Sequence, residues 1–223
     1  MNNLRLAGVE VPRIGLGTNR LTPEHTDFIR AAVEAGVRHI DTARLYQGGA
    51  SEQAIGAAGV PDDVLVATKG GWNDGSPENL HAEIEQSLKA LDTDAIGLYY
   101  LHKIHPGTPL EDSFGAIKEH VDKGNIRHVG ISNATREQIE LARSIVDIAA
   151  VQNHYNRAER GDDDLIDQLA AEGTVYVPFY PLKGGDGSNA DKLRWLLDRS
   201  PNLLPIPGTL SIEHLHENLS VLR

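Results

Sequence analysis

Four polar residues of different chemistry lie at or just after the ends of short hydrophobic runs: Asp41, Tyr46, Lys69 and His102. The carboxyl ends of parallel strands share one rim of an α/β protein, and catalytic residues collect at that rim. An acid, a phenol, an amine and an imidazole that converge there form a proton-donating centre. The runs that precede them are rich in branched or aromatic residues and span 37–40, 64–67 and 96–101.

The elements that must position these residues alternate between strand and helix along the chain. The sequence predicts an N-terminal hairpin from residues 4–6 and 9–11, which turns at Ala7-Gly8. Hydrophobic periodicity and breaker residues then predict eight strand–helix units. The predicted strands are 13–17, 37–41, 64–69, 96–102, 128–132, 149–152, 175–180 and 203–207, and the helices are 23–35, 51–58, 77–91, 109–123, 136–145, 163–171, 192–198 and 212–222.

Eight such units favour an α/β fold of the (β/α)8 TIM-barrel class over an open, doubly wound sheet. Parallel strands with right-handed crossovers close into a barrel at this number. A doubly wound sheet usually carries a phosphate-binding glycine fingerprint after its first strand, and residues 15–20 lack the third glycine of that pattern. We therefore predict a single barrel domain over residues 1–223.

The amino-acid composition argues against several kinds of binding partner and of chemistry. The net charge of −11 disfavours nucleic acid and anionic membrane surfaces. The absence of cysteine excludes disulfides and thiol catalysis. No stretch approaches the roughly 18 apolar residues of a membrane span, and no signal-like segment follows the first residue. We expect a cytoplasmic protein that is a monomer or a weak oligomer and acts on a small molecule.

An ordered series of short motifs along the whole chain resembles the aldo-keto reductases, in a bacterial-type but unusually short form. The motifs are VEVPRIGLGT at 9–18, DTARLY at 41–46, SE at 51–52, ATK at 67–69, LH at 101–102, GISN at 130–133, VQN at 151–153, IPGT at 206–209 and EN at 217–218. The resemblance implies a barrel that reduces aldehydes or ketones to alcohols by hydride transfer from NAD(P)H.

The resemblance also implies a role for each of the four strand-end residues. Tyr46 is the proton donor to the carbonyl oxygen, on which negative charge develops during hydride transfer. A phenol with a pKa of about 10 is a poor acid near neutrality, and the Lys69 ammonium is expected to lower that pKa. Asp41 keeps Lys69 charged and oriented, and His102 orients the substrate carbonyl.

The cofactor residues implied by the resemblance come mostly from the second half of the chain. Ser132, Asn133 and Gln152 are placed against the nicotinamide carboxamide, and Tyr180 stacks on the ring. Residues 180–187 follow the pyrophosphate and residues 206–218 hold the adenosine end. The complete set is Gly17, Thr18, Ser132, Asn133, Gln152, Tyr180, Pro181, Leu182, Ile206, Gly208, Thr209, Ser211, His214, Glu217 and Asn218.

The preference between the two dinucleotides depends on a departure from the family. Many members have a Lys-Ser pair after Ile-Pro and an arginine further on, both suited to the 2′-phosphate of NADP. This chain has Gly208-Thr209 and then His214. The resemblance favours NADP(H), and NAD(H) remains possible.

Several alternatives stay open at this level. The chain is alternatively a cofactor-binding regulatory barrel with little turnover, or a lyase in which Lys69 forms a Schiff base. A metal pair of His102 and His105 is disfavoured because no third ligand has suitable spacing. Ser132-Asn133 is also a potential N-cap of the following helix. Trp72, Arg44 and His105 are predicted to line a substrate pocket.

Overall fold

A computed structural model describes residues 2–223 of the chain. Within them, β1 and β2 form an antiparallel hairpin, and β3 to β9 form a parallel sheet in chain order. The strands are β1 Asn3–Leu6, β2 Val9–Pro12, β3 Leu16–Gly17, β4 His39–Asp41, β5 Leu65–Gly70, β6 Leu98–Leu101, β7 Val129–Ser132, β8 Ile148–Gln152 and β9 Val175–Tyr176. The helices are α1 Thr26–Glu34, α2 Ala50–Ala58, α3 Pro77–Leu91, α4 Leu110–Asp122, α5 Arg136–Arg143, α6 Asp163–Ala171, α7 Asn189–Arg199 and α8 Ile212–Ser220.

The (β/α)8 barrel predicted from the sequence is confirmed, although its eighth position is an irregular segment instead of the predicted strand at 203–207. Residues 203–208 bridge β9 to β3 through the pairs Tyr176–Leu203 and Gly17–Gly208. Pro205 and Pro207 have no N–H group, so a regular ladder cannot form there. Their carbonyls nevertheless accept hydrogen bonds from Gly15 N at 3.0 Å and Gly17 N at 3.2 Å, which close the barrel.

Helix α3 shows how the local sequence defines the elements around the barrel. Ser76 is its N-cap and accepts a hydrogen bond from the backbone of Asn79, and a proline occupies the first helical position. The buried residues recur at helical spacing and face the sheet, namely Leu80, Ile84, Ser87 and Leu91. Such a stripe buries one face of a helix and leaves the opposite face to solvent.

The apolar core has two parts, one between the sheet and the helices and one inside the barrel. Leu6 and Val11 of the N-terminal hairpin belong to the inner part. The hairpin therefore fills the end of the barrel at which the strands begin. The open end is the opposite rim, where the strands terminate in polar residues.

No helix within residues 2–223 is long and apolar enough to cross a membrane. In the same part of the chain, no three histidine or acidic side chains are grouped closely enough to hold a metal ion.

Two histidines on neighbouring outer helices contact each other, and one of them is buried. His81 Nδ1 of α3 lies 2.9 Å from His120 Nε2 of α4, so one ring nitrogen donates a hydrogen bond to the other. His120 is 3 % exposed, and burial, assisted by His81, lowers its pKa below the ordinary value. The unfolded chain therefore takes up a proton more readily than the folded chain.

We expect the free energy of unfolding to fall as the pH drops below about 6.5, where the unfolded histidine becomes charged. His120→Asn reduces the pH dependence by as much as about 1.4 kcal/mol per pH unit, measured by urea unfolding between pH 5 and 8. His216→Asn, at an exposed position of α8, is the control and leaves the slope unchanged. An unchanged slope in His120→Asn contradicts this prediction.

Candidate active site

Lys69 lies near the end of β5 and points into the barrel, where it is 0 % exposed. Its Nζ donates hydrogen bonds to Asp41 Oδ1 at 2.6 Å and to the Thr42 carbonyl at 2.6 Å. Burial alone would lower the pKa of this ammonium, but Asp41 and Tyr46 outweigh burial and raise it above the usual value. Lys69 is therefore a fixed positive charge, buried just below the open end of the barrel.

Asp41 ends β4 and connects the lysine to a residue of β8. Its Oδ1 accepts the Lys69 hydrogen bond, and its Oδ2 accepts one from Gln152 Nε2 at 2.8 Å. Asp41 is 1 % exposed, and a buried carboxylate of this kind is stable only when both oxygens have partners. The sequence predicted the pair with Lys69 but not the bond to Gln152.

Tyr46 begins a short turn, Tyr46–Gly49, which follows β4 and in which Gln47 and Gly48 have left-handed backbone conformations. Its hydroxyl lies 3.5 Å from Lys69 Nζ, and Nζ lies 5.0 Å from the centre of its ring. Burial raises the pKa of the phenol, and Lys69 opposes this rise. Lys69 acts in the predicted direction by lowering the pKa of Tyr46, whereas burial, which the sequence does not reveal, is the larger effect and raises it. The Lys69 ammonium beside the hydroxyl is the group that would stabilise the phenolate left after proton donation.

His102 follows the last residue of β6 and faces both Tyr46 and Trp72. Its ring centre lies 6.0 Å from that of Tyr46 and 4.6 Å from that of Trp72. Burial, together with the nearby Lys69 charge, lowers the pKa of His102 to about 3. The imidazole is therefore neutral near physiological pH, and its buried Nδ1 has no partner within the described residues.

Because the pKa of His102 is about 3, its titration should not affect catalysis between pH 5 and 8. We expect the pH profile of kcat/KM for the reaction at this site to have the same shape in wild type and His102→Gln over this range. The glutamine keeps a neutral hydrogen-bonding group, so only the level of kcat/KM should change. An acid limb near pH 6 that disappears in His102→Gln would show that the histidine is protonated during turnover.

Three of these four side chains, Asp41, Tyr46 and His102, line one cavity of about 580 Å³ at the open rim, and Lys69 lies beneath it. Most of the predicted cofactor residues line the same cavity. They are Gly17, Thr18, Ser132, Asn133, Gln152, Tyr180, Pro181, Leu182, Ile206 and Gly208.

The remaining predicted cofactor residues do not line this cavity, and all of them come after its last lining residue, Gly208, in the sequence. The Thr209 hydroxyl accepts a hydrogen bond from Ser211 N at 3.0 Å, and Ser211 is the N-cap of α8. His214 and Glu217 are exposed on α8, whereas Asn218 is buried. The structure thus places these five residues beyond the Gly208 end of the cavity.

Asn133 adopts a left-handed backbone conformation with φ of +56°. Its side-chain amide donates to the His102 carbonyl at 3.0 Å and to Ser132 Oγ at 3.1 Å. The alternative that this pair caps the next helix is wrong, because Thr135 is the N-cap of α5. Ser132 and Asn133 are therefore available to the cavity.

Two of the three residues predicted to line a substrate pocket lie elsewhere. Trp72 lines the cavity. Arg44 instead forms a 2.6 Å ion pair with Glu52 on α2, and His105 Nε2 lies 2.9 Å from the Gly71 carbonyl. Both side chains satisfy local polar groups, which spacing in the sequence does not reveal.

The contacts of Lys69 and His105 argue against two alternatives raised by the sequence, a Schiff base on Lys69 and a metal pair of His102 and His105. A Schiff-base lysine must be neutral to attack a carbonyl, whereas Lys69 is ion-paired and its pKa is raised. His105 is engaged with a backbone carbonyl and is not a second ligand beside His102. Acid–base chemistry is what this arrangement supports.

Lys183 and Pro207 also line the cavity and fall within the predicted cofactor ranges 180–187 and 206–218. Four further lining residues were missed from the sequence, namely Asn19, Arg20, Leu45 and Phe179. Each is within two residues of a predicted site position, so extending each motif into its loop would have found them. Arg20 and Lys183 are the charged members of these six, and both are cationic although the chain carries a net charge of −11. A positive mouth on an acidic protein attracts an anionic ligand.

Fold and site together define a (β/α)8 barrel enzyme with a phenol, a buried ammonium–carboxylate pair and a neutral imidazole at its C-terminal rim. The model of the Aldo/keto reductase family matches residues 13–192. The chain therefore belongs to this family of oxidoreductases.

Individual relatives agree with this assignment. The chain is 36 % identical to pyridoxine 4-dehydrogenase of Escherichia coli (strain K12) over 264 residues, covering 98 % of this chain and 92 % of the relative. A thermostable aldo-keto reductase solved with the inhibitor epalrestat superposes with a TM-score of 0.90 at 30 % identity, over 99 % of this chain and 94 % of the other. An aldo/keto reductase from Klebsiella pneumoniae, solved with NADP and acetate, gives 0.87 at 28 %, over 99 % and 89 %.

Proposed function

We propose that this protein reduces aldehydes or ketones to alcohols by hydride transfer from NADPH, with Tyr46 as the proton donor. The observation that carries the proposal is the position of the Tyr46 hydroxyl, which lies on the wall of the cavity 3.5 Å from the buried Lys69 ammonium. A cytoplasmic location and a monomeric or weakly associated state remain predictions from the sequence.

The residues around the cavity fit a nicotinamide dinucleotide. Ser132, Asn133 and Gln152 provide hydroxyl and amide groups of the kind that bind a carboxamide. Tyr180 offers an exposed aromatic ring at the cavity edge. A Cβ at Gly17 would lie 2.7 Å from the Ile206 carbonyl, so a glycine there lets the first strand of the barrel, β3, pack closely against the irregular eighth segment at the cavity wall.

When bound, the dinucleotide supplies the hydride. Tyr46 donates its proton to the carbonyl oxygen as negative charge develops there, and Lys69 stabilises the resulting phenolate through its positive charge. Asp41 holds Lys69 in its charged form. His102, as a neutral imidazole, orients the carbonyl by a hydrogen bond. In the oxidation direction Tyr46 accepts the proton of the alcohol.

We propose NADP(H) as the preferred cofactor, with NAD(H) also accepted. The Klebsiella pneumoniae relative was solved with NADP. In this chain the residues nearest the expected 2′-phosphate are Thr209, Ser211 and His214, which offer hydroxyl groups and an exposed imidazole. They lack the rigid, planar guanidinium of an arginine, which binds phosphate with two parallel hydrogen bonds. We therefore expect a modest preference for NADP(H) over NAD(H) and not an exclusive use of NADP(H).

The substrate class follows from the cavity wall and from the relatives. Trp72, Leu45 and Phe179 give the site an apolar side, which suits an aldehyde with an aromatic or apolar body. The name of the Escherichia coli relative makes pyridoxine and its 4-aldehyde the first substrates to test.

The proposal is tested by following NADPH absorbance with a panel of aldehydes, and NADP⁺ reduction with pyridoxine. We expect turnover with at least one pair, and its loss in Tyr46→Phe. Tight NADPH binding without turnover would contradict the proposal and indicate a regulatory, cofactor-binding barrel instead. Trapping of a substrate carbon on Lys69 by borohydride would indicate a Schiff-base lyase.

A further inference from the structure

Tyr180 occupies a backbone conformation that a tyrosine rarely adopts. Its φ is +52°, in the left-handed region that favours glycine. Its ring remains 53 % exposed at the edge of the cavity. A strained residue of this kind persists only where surrounding contacts hold it, and such residues cluster at ligand sites.

The Tyr180 carbonyl is held by two hydrogen bonds from different segments. Lys183 N donates to it at 3.1 Å within its own turn. Asn156 Nδ2, from the loop after β8, donates to it at 3.2 Å. The second bond ties the aromatic residue to a loop more than twenty residues earlier in the chain.

The Asn156 side chain is itself fixed in one orientation. It is 1 % exposed, and its Oδ1 accepts hydrogen bonds from Ala158 N at 2.9 Å and Glu159 N at 3.1 Å. Because both donors are backbone N–H groups, the amide oxygen must face them and the NH₂ group must face Tyr180. Asn156 is therefore a rigid link between the two loops.

Aromatic packing alone does not replace this link. Tyr180 contacts His154 and Phe179 edge-to-face, with ring centres 5.6 Å and 5.3 Å away. These contacts place the ring, but they leave the backbone free to relax to a negative φ. The hydrogen bond from Asn156 acts directly on the strained peptide.

We propose that Asn156 is a positioning residue, which holds the Tyr180 ring in place as the platform for the nicotinamide of the cofactor. The inference rests on the proposed function, because it assumes that the ring stacks on that cofactor. Without the hydrogen bond from Asn156, the Tyr180 backbone relaxes out of its left-handed conformation. The ring must then move back into position each time the cofactor binds, which weakens binding.

The test compares NADPH binding and turnover in wild type, Asn156→Asp and Tyr180→Ala. The aspartate keeps an oxygen for the Ala158 and Glu159 amides but loses the Nδ2 donor, which contacts both the Tyr180 carbonyl at 3.2 Å and His154 Nε2 at 3.2 Å. We expect Asn156→Asp to raise the Kd and KM for NADPH about tenfold, the effect of one lost hydrogen bond, while kcat changes less than about threefold. Asn156→Ala removes the same donor without adding a charge and serves if the aspartate variant does not fold.

A double variant separates positioning from a general structural role. In the Tyr180→Ala background, Asn156→Asp should weaken NADPH binding by less than about twofold, because the ring it positions is gone. Asn202→Asp is the matched control. Its amide also donates to a carbonyl of another segment, that of Thr174 at 3.0 Å, but it lies at the other end of β9. This control should leave the KM for NADPH unchanged.

The outcomes distinguish the inference from the proposed function. If Tyr180→Ala weakens NADPH binding and Asn156→Asp does not, the inference is overturned and the proposed function stands. Equal losses from Asn156→Asp in both backgrounds also overturn the inference. If Tyr180→Ala binds NADPH as wild type does, the stacking role and the inference fail together.

Discussion

Tyr46→Phe is expected to lower kcat for aldehyde reduction by a factor on the order of 10² to 10⁴, the usual contribution of a general acid. The variant keeps the aromatic ring, whose centre lies 5.0 Å from Lys69 Nζ, and removes only the hydroxyl. Packing and cofactor binding should therefore survive. The Kd for NADPH, measured by fluorescence titration, should stay within about twofold of wild type.

A second tyrosine provides the control for Tyr46. Tyr155 is fully buried outside the barrel, where its hydroxyl donates to Asp163. Tyr155→Phe also removes a buried phenolic hydroxyl, but one that is absent from the cavity lining, so its kcat should match wild type. If Tyr46→Phe keeps more than half of the wild-type kcat, Tyr46 is not the proton donor.

Lys69→Met is expected to destabilise the fold by about 3–5 kcal/mol and to abolish turnover. The substitution leaves Asp41 as a buried carboxylate whose remaining side-chain partner among residues 2–223 is the Gln152 amide. It also removes the charge that opposes the rise in the pKa of Tyr46. Urea unfolding at pH 7 measures the first effect, and NADPH absorbance with an aldehyde measures the second.

The double variant Asp41→Asn with Lys69→Met separates stability from catalysis. Removing both charges eliminates the unpaired buried carboxylate, so most of the lost unfolding free energy should return. Turnover should remain absent, because no cation is left beside the phenol. A single Lys69→Met variant as stable as wild type would contradict the role assigned to the ion pair.

The positions of Asp41, Lys69 and His102 were predictable because parallel strands end at one rim. Each residue lies at or near the end of a hydrophobic run, and the barrel brings the ends of those runs together. Tyr46 is different, since it lies in a short turn after β4. Its position five residues after Asp41 placed it near the same rim, the resemblance to a family gave it the role of proton donor, and the structure places its hydroxyl 3.5 Å from Lys69 Nζ.

Other features depend on three-dimensional contacts that no local pattern records. The bond from Gln152 to Asp41 joins residues on β8 and β4, across the barrel. The net rise in the pKa of Tyr46 reflects how deeply the ring is buried. The irregular eighth segment is different, because a local signal for it was present: Pro205 and Pro207 have no N–H group and cannot donate to a ladder of hydrogen bonds. The partners of Arg44 and His105 could not be read from spacing.

The most direct test of the central claim is the fate of the transferred hydrogen. NADPH deuterated at either position of the nicotinamide C4 is mixed with the protein and an accepted aldehyde, and the alcohol is analysed by mass spectrometry. Hydride transfer within the cavity predicts one deuterium on the former carbonyl carbon, from only one of the two stereoisomers. Consumption of NADPH without alcohol, or alcohol without deuterium from either stereoisomer, would contradict it.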